Sequence, residues 1–167
     1  VNLEWLENDL ANTDKAMIFV YGHEPAFPIG LHLDSSLDAK PDKRDAFWQL
    51  LVDYEVSVYF CGHEHIYDHW IKDGVHQIIT GGGGGLGPFF HFLIVDVDEN
   101  GSDATIRVHD ATENDNYKTY KLSELNNVND HERIDGWPSM EWLFVNMPCV
   151  WMIAFIGLLF QMGVKLT

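Results

Sequence analysis

Two short segments carry residue types that hold metal ions: Gly22-His23-Glu24-Pro25 and Gly62-His63-Glu64-His65. Neutral imidazole is a good ligand for transition-metal cations, and a histidine at the end of a strand presents its ring without disturbing the sheet. In an extended chain residues i and i+2 point to the same side, so the rings of His63 and His65 can reach one compact site. The glycine ahead of each histidine lets the backbone turn sharply and come close to an ion. A lone His-x-His carries little weight in a chain with nine histidines. The combination carries more: an apolar run ending in Gly-His-Glu-Pro, a helix-bearing interval, and a second apolar run ending in Gly-His-Glu-His. Glu24 and Glu64 can orient an imidazole from outside, but in a chain with 26 acidic residues they are expected to be solvated acids.

The elements that must position these histidines are legible from periodicity. Leu3, Leu6 and Leu10 predict a short helix over residues 2–10, and the run AMIFVY at 16–21 predicts a buried strand. Phe47, Leu50, Leu51 and Tyr54 predict a second helix, followed by a buried strand over 56–61. Two helix–strand units whose strands both stop at Gly-His argue for parallel neighbours in an α/β sheet. The histidines then gather at the edge where open α/β sheets bind ligands. Residues 24–41, with Pro25, Pro28 and Pro41, read as a long loop over that edge. Strands are expected at 75–80, 89–97 and 105–109, with a hairpin turn at Asp98-Glu99-Asn100-Gly101.

Gly82, Gly84 and Gly87 formally match a dinucleotide-binding fingerprint. Pro88 and an apolar strand follow instead of a helix, which removes the anion-binding helix terminus. These glycines read as permitting close backbone approach near the site. His32, His69, His76, His91, His109 and His131 read as surface or packed residues, with His91 nearest the glycine run.

Composition bounds the rest. At 46% hydrophobic the chain is globular, and a formal charge of −16 repels a phosphate backbone, which excludes nucleic acid as a bound scaffold. Cys61 and Cys149 lie in different environments and define neither a disulfide nor a thiol-metal site. With Val1 first and an amphipathic segment at once, the chain reads as a fragment or processed piece. Residues 126–139 are polar and read as a linker. From Trp142 to Val164 no residue is charged, and as a helix that stretch is about 35 Å long against a hydrocarbon core of about 30 Å. A single-pass membrane helix is expected over 140–165. Lys165, directly after the uncharged stretch, places the globular part outside the cytoplasm or in a lumen. The competing reading is a buried core helix.

The WLENDL helix, GHEP, GHEHIY and the glycine run after IIT together resemble the calcineurin-like metallophosphoesterase superfamily, above all its purple-acid-phosphatase-like members. The resemblance runs from about residue 3 to 85 and covers the C-terminal half of the family's domain. It implies the C-terminal half of a four-layer α/β/β/α sandwich over residues 1–125. It further implies that His23 and His63 bind one metal of a pair and His65 the other, the ions being divalent or trivalent Fe, Zn or Mn. The implied activity is hydrolysis of phosphate esters on a small-molecule or protein substrate. The family's Asp-x-His, Gly-Asp-x-x-Asp and Gly-Asn-His-Asp/Glu motifs are absent, so the catalytic carboxylates are expected upstream of Val1. Members often carry Glu-Arg after the tyrosine of the last motif, where this chain has Tyr67-Asp68-His69. Two other readings are a non-catalytic, membrane-anchored interaction protein on a phosphatase-derived fold and a structural zinc site of three histidines.

Overall fold

The computed structural model describes residues 1–29, 32–83, 90–111, 115–125 and 133–136. Near its N-terminus the Asn2 side chain accepts from the Trp5 backbone N–H at 3.1 Å and starts helix α1 (Leu3–Ala11), which buries Leu6 and Leu10. Helix α2 (Pro41–Asp53) begins on a proline, whose missing N–H costs nothing in the first turn, and buries Phe47, Trp48 and Leu51.

The strands are β1 (Phe19–Tyr21), β2 (Val58–Cys61), β3 (Tyr67–Lys72), β4 (Val75–Thr80), β5 (His91–Val97), β6 (Ala104–Asp110), β7 (Asp115–Lys121) and β8 (Arg133–Gly136). They form a five-stranded sheet of order β1-β2-β4-β3-β8 and a three-stranded sheet of order β5-β6-β7. β1 pairs parallel with β2, as the two Gly-His strand ends predict, and β2 pairs parallel with β4. β3 runs antiparallel to β4 through a turn in which Asp73 and Gly74 both take positive φ, 52° and 81°. The expected 98–101 turn joins β5 to β6, with Gly101 at φ 66°.

The pleat sorts the core into two layers. Tyr59 and Cys61 of β2 and Val75 and Ile79 of β4 pack with Leu6, Leu10, Phe47, Trp48 and Leu51 of the helices. The intervening Val58, Phe60 and Ile78 pack on Ala104, Ile106 and Val108 of the second sheet. The result is a mixed α/β arrangement with helices on one face of the larger sheet and the smaller sheet on the other. β8 lies within the stretch expected to be a linker and pairs with β3.

The chain divides into two units, residues 1–136 and 137–167. No helix among the described residues is long and apolar enough to cross a membrane, and the expected span over 140–165 lies outside the described residues.

Candidate metal centre

β1 and β2 end side by side and hand the chain to the two predicted motifs. Gly22 N–H donates to the Phe60 carbonyl at 3.0 Å, and Gly62 N–H donates to the His23 carbonyl at 3.0 Å, so the two turns are stitched together. His63 takes a left-handed backbone conformation, φ 64°, tightened by the Glu64 N–H bonded to the Gly62 carbonyl at 2.7 Å. That conformation is uncommon for a non-glycine residue and is sustained by its surroundings.

The outcome is a direct contact between imidazoles from the two separate motifs, 40 residues apart in sequence. His63 Nδ1 lies 3.1 Å from His23 Nε2, with ring centroids 5.0 Å apart. Without an ion, an N–H of one ring can donate to a bare nitrogen of the other, the tautomers setting which. With one, two nitrogens at ~2.0–2.1 Å from a common cation stand about 3.1 Å apart when the bonds meet at roughly 100°. The pair therefore fits two positions on one ion. His65 is exposed on the same loop, two residues beyond His63. Among the described residues no group of three or more His, Cys, Asp or Glu side chains is gathered to hold an ion. The described residues thus offer one pair of nitrogens at the spacing of two ligands to a common ion.

His32, read from the sequence as a surface or packed residue, is half-buried beside this pair. Its ring is tilted against that of His63 with centroids 4.2 Å apart. It sits in a loop without periodicity, and the only available signal was its place in the proline-bearing segment that starts at His23.

The expectation for Glu64 is overturned, because this residue is 1% exposed and is no solvated acid. Its Oε2 accepts the Ile29 N–H at 3.0 Å. Glu24 is half-buried, and its carbonyl accepts the Tyr59 hydroxyl at 2.7 Å. Burial first, with neighbouring Glu24 adding in the same direction, keeps that phenol protonated far above its usual range. Cys61, next to the motif, is a buried free thiol. Burial, then the Asp68 and Glu64 carboxylates, pushes its pKa well up, and its Sγ lies 3.6 Å from the Ile78 carbonyl.

The glycine run begins as expected for close approach. A Cβ on Gly81 would fall within contact distance of the Glu64 carbonyl oxygen and 2.8 Å from its carbon, so the turn carrying His63 and His65 packs directly on Gly81 backbone. Gly84 and Gly87 lie outside the described residues. Of the other histidines, His91 is buried with its ring edge-on to Tyr67, centroids 5.6 Å apart. His69 and His76 form a second pair in the core, His69 Nε2 lying 2.8 Å from His76 Nδ1. His131 lies outside the described residues.

No protein-family model matches the chain. Tartrate-resistant acid phosphatase type 5 of Oryctolagus cuniculus is 31% identical over 87 residues, which are 52% of this chain and 25% of that protein. The Homo sapiens protein of the same name is 30% identical over 87 residues with the same shares. The chain therefore spans about a quarter of the length of the curated relatives it matches.

In fold it is similar to the purple acid phosphatase of yellow lupin (Lupinus luteus) seeds, with TM-score 0.61 and 16% identity over 71% of this chain and 27% of that one. It is also similar to GAP50, the anchor in the inner membrane complex of Plasmodium, with TM-score 0.58 and 22% identity over 70% of this chain and 40% of that one. Over those 87 residues the chain is similar in sequence to tartrate-resistant acid phosphatase, and it shares the mixed α/β fold of the lupin purple acid phosphatase.

Proposed function

We propose that this chain is part of a membrane-anchored metallophosphoesterase that hydrolyses phosphate esters at a dinuclear metal centre. His23 and His63 hold one ion and His65 the other. The observation that carries the reading is the 3.1 Å contact of His23 Nε2 with His63 Nδ1 at the ends of adjacent parallel strands. Bound cations at such a place supply the charge that polarises a phosphate and acidifies a water. The chain's own residues orient the imidazoles through the stitched glycine turns, keep the Cys61 thiol neutral, and set His32 against His63 within reach of a bound phosphate's surroundings. The bridging carboxylate and the remaining ligands belong, in this reading, to sequence upstream of Val1.

The test uses the chain with added Mn²⁺, Zn²⁺ or Fe and p-nitrophenyl phosphate as substrate. Metal binding is expected to be weak, His23→Ala is expected to lower it by about tenfold or more, and turnover is expected to be absent. Robust hydrolysis by the chain alone would refute the division of the site between two stretches of sequence. Metal affinity indifferent to His23 would refute the ligand assignment.

A second reading is an interaction protein that keeps the fold without the chemistry, favoured by the similarity to GAP50, itself described as an anchor. Intact acidic motifs upstream favour the enzyme, and their loss favours the anchor. Both readings take the uncharged residues 142–164 as a membrane span with the globular part extracytoplasmic or luminal. The chain expressed in cells is then expected in the pellet after alkaline carbonate extraction, and its appearance in the supernatant would remove the span from the proposal.

A further inference from the structure

The loop over the imidazole pair is held down by two buried polar side chains. Gln77 stands in the middle of β4, completely buried, on the face that Val75 and Ile79 turn toward the helices. A primary amide on such a face is costly unless both its ends are bonded. Both ends are bonded here, and to one residue. Gln77 Nε2 donates to the Phe27 carbonyl and Gln77 Oε1 accepts the Phe27 N–H, each at 2.9 Å. Two residues further along, the Ile29 N–H donates to the buried Glu64 carboxylate at 3.0 Å. Loops ordinarily satisfy such backbone groups with water or with each other. This one gives them to two side chains of the sheet and its adjoining turn.

We infer that Glu64 and Gln77 are positioning residues, a two-point latch that fixes Phe27 and Ile29 and thereby sets His32 against the His23–His63 pair. Its functional meaning rests on the proposed metal centre, because Glu64 lies between His63 and His65 on the turn that presents both rings. Ordering that turn and ordering the loop therefore engage the same residue. A cation that fixes the imidazoles meets a loop already in place, and losing the latch makes the cation order both.

The experiment compares Gln77→Leu, Glu64→Leu and Glu64→Gln with Ile106→Val, a change in the core between the two sheets that destabilises the fold away from the loop. Three quantities are read on the whole chain: amide hydrogen exchange at Phe27 and Ile29, the nuclear Overhauser contact between the His32 and His63 rings, and Co²⁺ affinity from its visible spectrum. Gln77→Leu and Glu64→Leu are expected to speed exchange, lose the ring contact and weaken Co²⁺ binding by about tenfold. Glu64→Gln keeps an acceptor for Ile29 and is expected to restore all three, whereas Ile106→Val leaves the ring contact and the Co²⁺ affinity in place. The latch is overturned if Gln77→Leu leaves the ring contact and exchange at wild-type values, or if Ile106→Val weakens Co²⁺ as much as the latch variants do. If the unsubstituted chain binds no Co²⁺ at all, the metal-centre reading fails, and exchange with the ring contact alone decides the latch.

Discussion

Replacing Gly81 by alanine is expected to dislodge the 62–66 turn and cost about 3 kcal/mol, the upper end for overpacking. The neighbours a Cβ would meet are backbone atoms: the Glu64 carbonyl group, its carbon 2.8 Å away, and His65 Cα at 3.3 Å. None is the far end of a flexible side chain that can swing aside. The turn is also fixed from both sides, by Gly62 N–H on the His23 carbonyl and by Gly81 N–H on the Ile66 carbonyl at 3.2 Å. Relief therefore has to come from moving β4 against the turn, which breaks one or both of those bonds. With an m-value near ~2 kcal/mol/M the urea midpoint falls by roughly 1.5 M, and the His23–His63 ring contact is lost with it. An alanine variant that unfolds at the wild-type midpoint would show that the turn does not rest on Gly81.

Mild acid is expected to weaken the fold through the second histidine pair. His69 is fully buried and its ring is edge-on to Tyr120 of β7 at 5.2 Å, while His76 is 8% exposed. Burial first, then the neighbouring His76, holds the His69 pKa well below its usual value, and burial lowers that of His76 to about 4. A histidine with a lowered folded pKa binds its proton more readily when unfolded. Its stabilising effect is complete above the unfolded value of about 6.5, shrinks as pH falls below it, and is exhausted near the folded pKa. For His76 alone the interval of about 2.5 units corresponds to a loss of about 3 kcal/mol by pH 4, and His69 adds in the same direction.

The carboxylates of Asp98 and Asp103, lowered chiefly by hydrogen bonds from Ser102 and Ser123, also lose their effect on acidification, but only around and below the ordinary carboxylate range. The window from pH 6.5 to 4.5 therefore isolates the imidazoles. Urea midpoints should fall steadily across it, and His69→Leu with His76→Leu should flatten the slope. A midpoint constant across that window would remove the pair from any role in acid stability.

The parallel heart of the sheet was legible because it is written in the strongest local code. Apolar runs of buried-strand length at 16–21 and 56–61, each closed by Gly-His, become β1 and β2, in register from Phe19 with Val58 to Tyr21 with Phe60; β2 is buried as expected, whereas β1 is the last strand of its sheet and stays only partly buried, with Tyr21 exposed. β3 was hidden by the motif it follows. Tyr67-Asp68-His69-Trp70-Ile71-Lys72 mixes charge with aromatics, and its polar members are buried by pairing with β4 and β8 instead of facing water. The Asp73-Gly74 pair beyond it is a strong hairpin signal in hindsight, needing the two positive φ angles that a tight primed turn uses. β7 escaped because its sequence, DNYKTYK, offers little apolar alternation. At the site, His23 and His63 could be paired by their equivalent places after two strands. His32 could not, since nothing local says where an aperiodic loop returns. Composition misjudged Glu64 for the same reason: abundance of acids predicts the average acid, and a tertiary contact with Ile29 decides this one.

The left-handed torsion of His63 decides how the imidazole pair is best interrogated. Alanine at 63 deletes a nitrogen and also the ring packing that keeps the backbone at φ 64°, so the trace of the peptide can relax and confuse lost chemistry with altered shape. Asparagine enters that region of torsion space more readily and separates the two. His23 has no such torsion, so trimming its side chain deletes a donor atom without releasing a left-handed backbone of its own and makes position 23 the cleaner reporter.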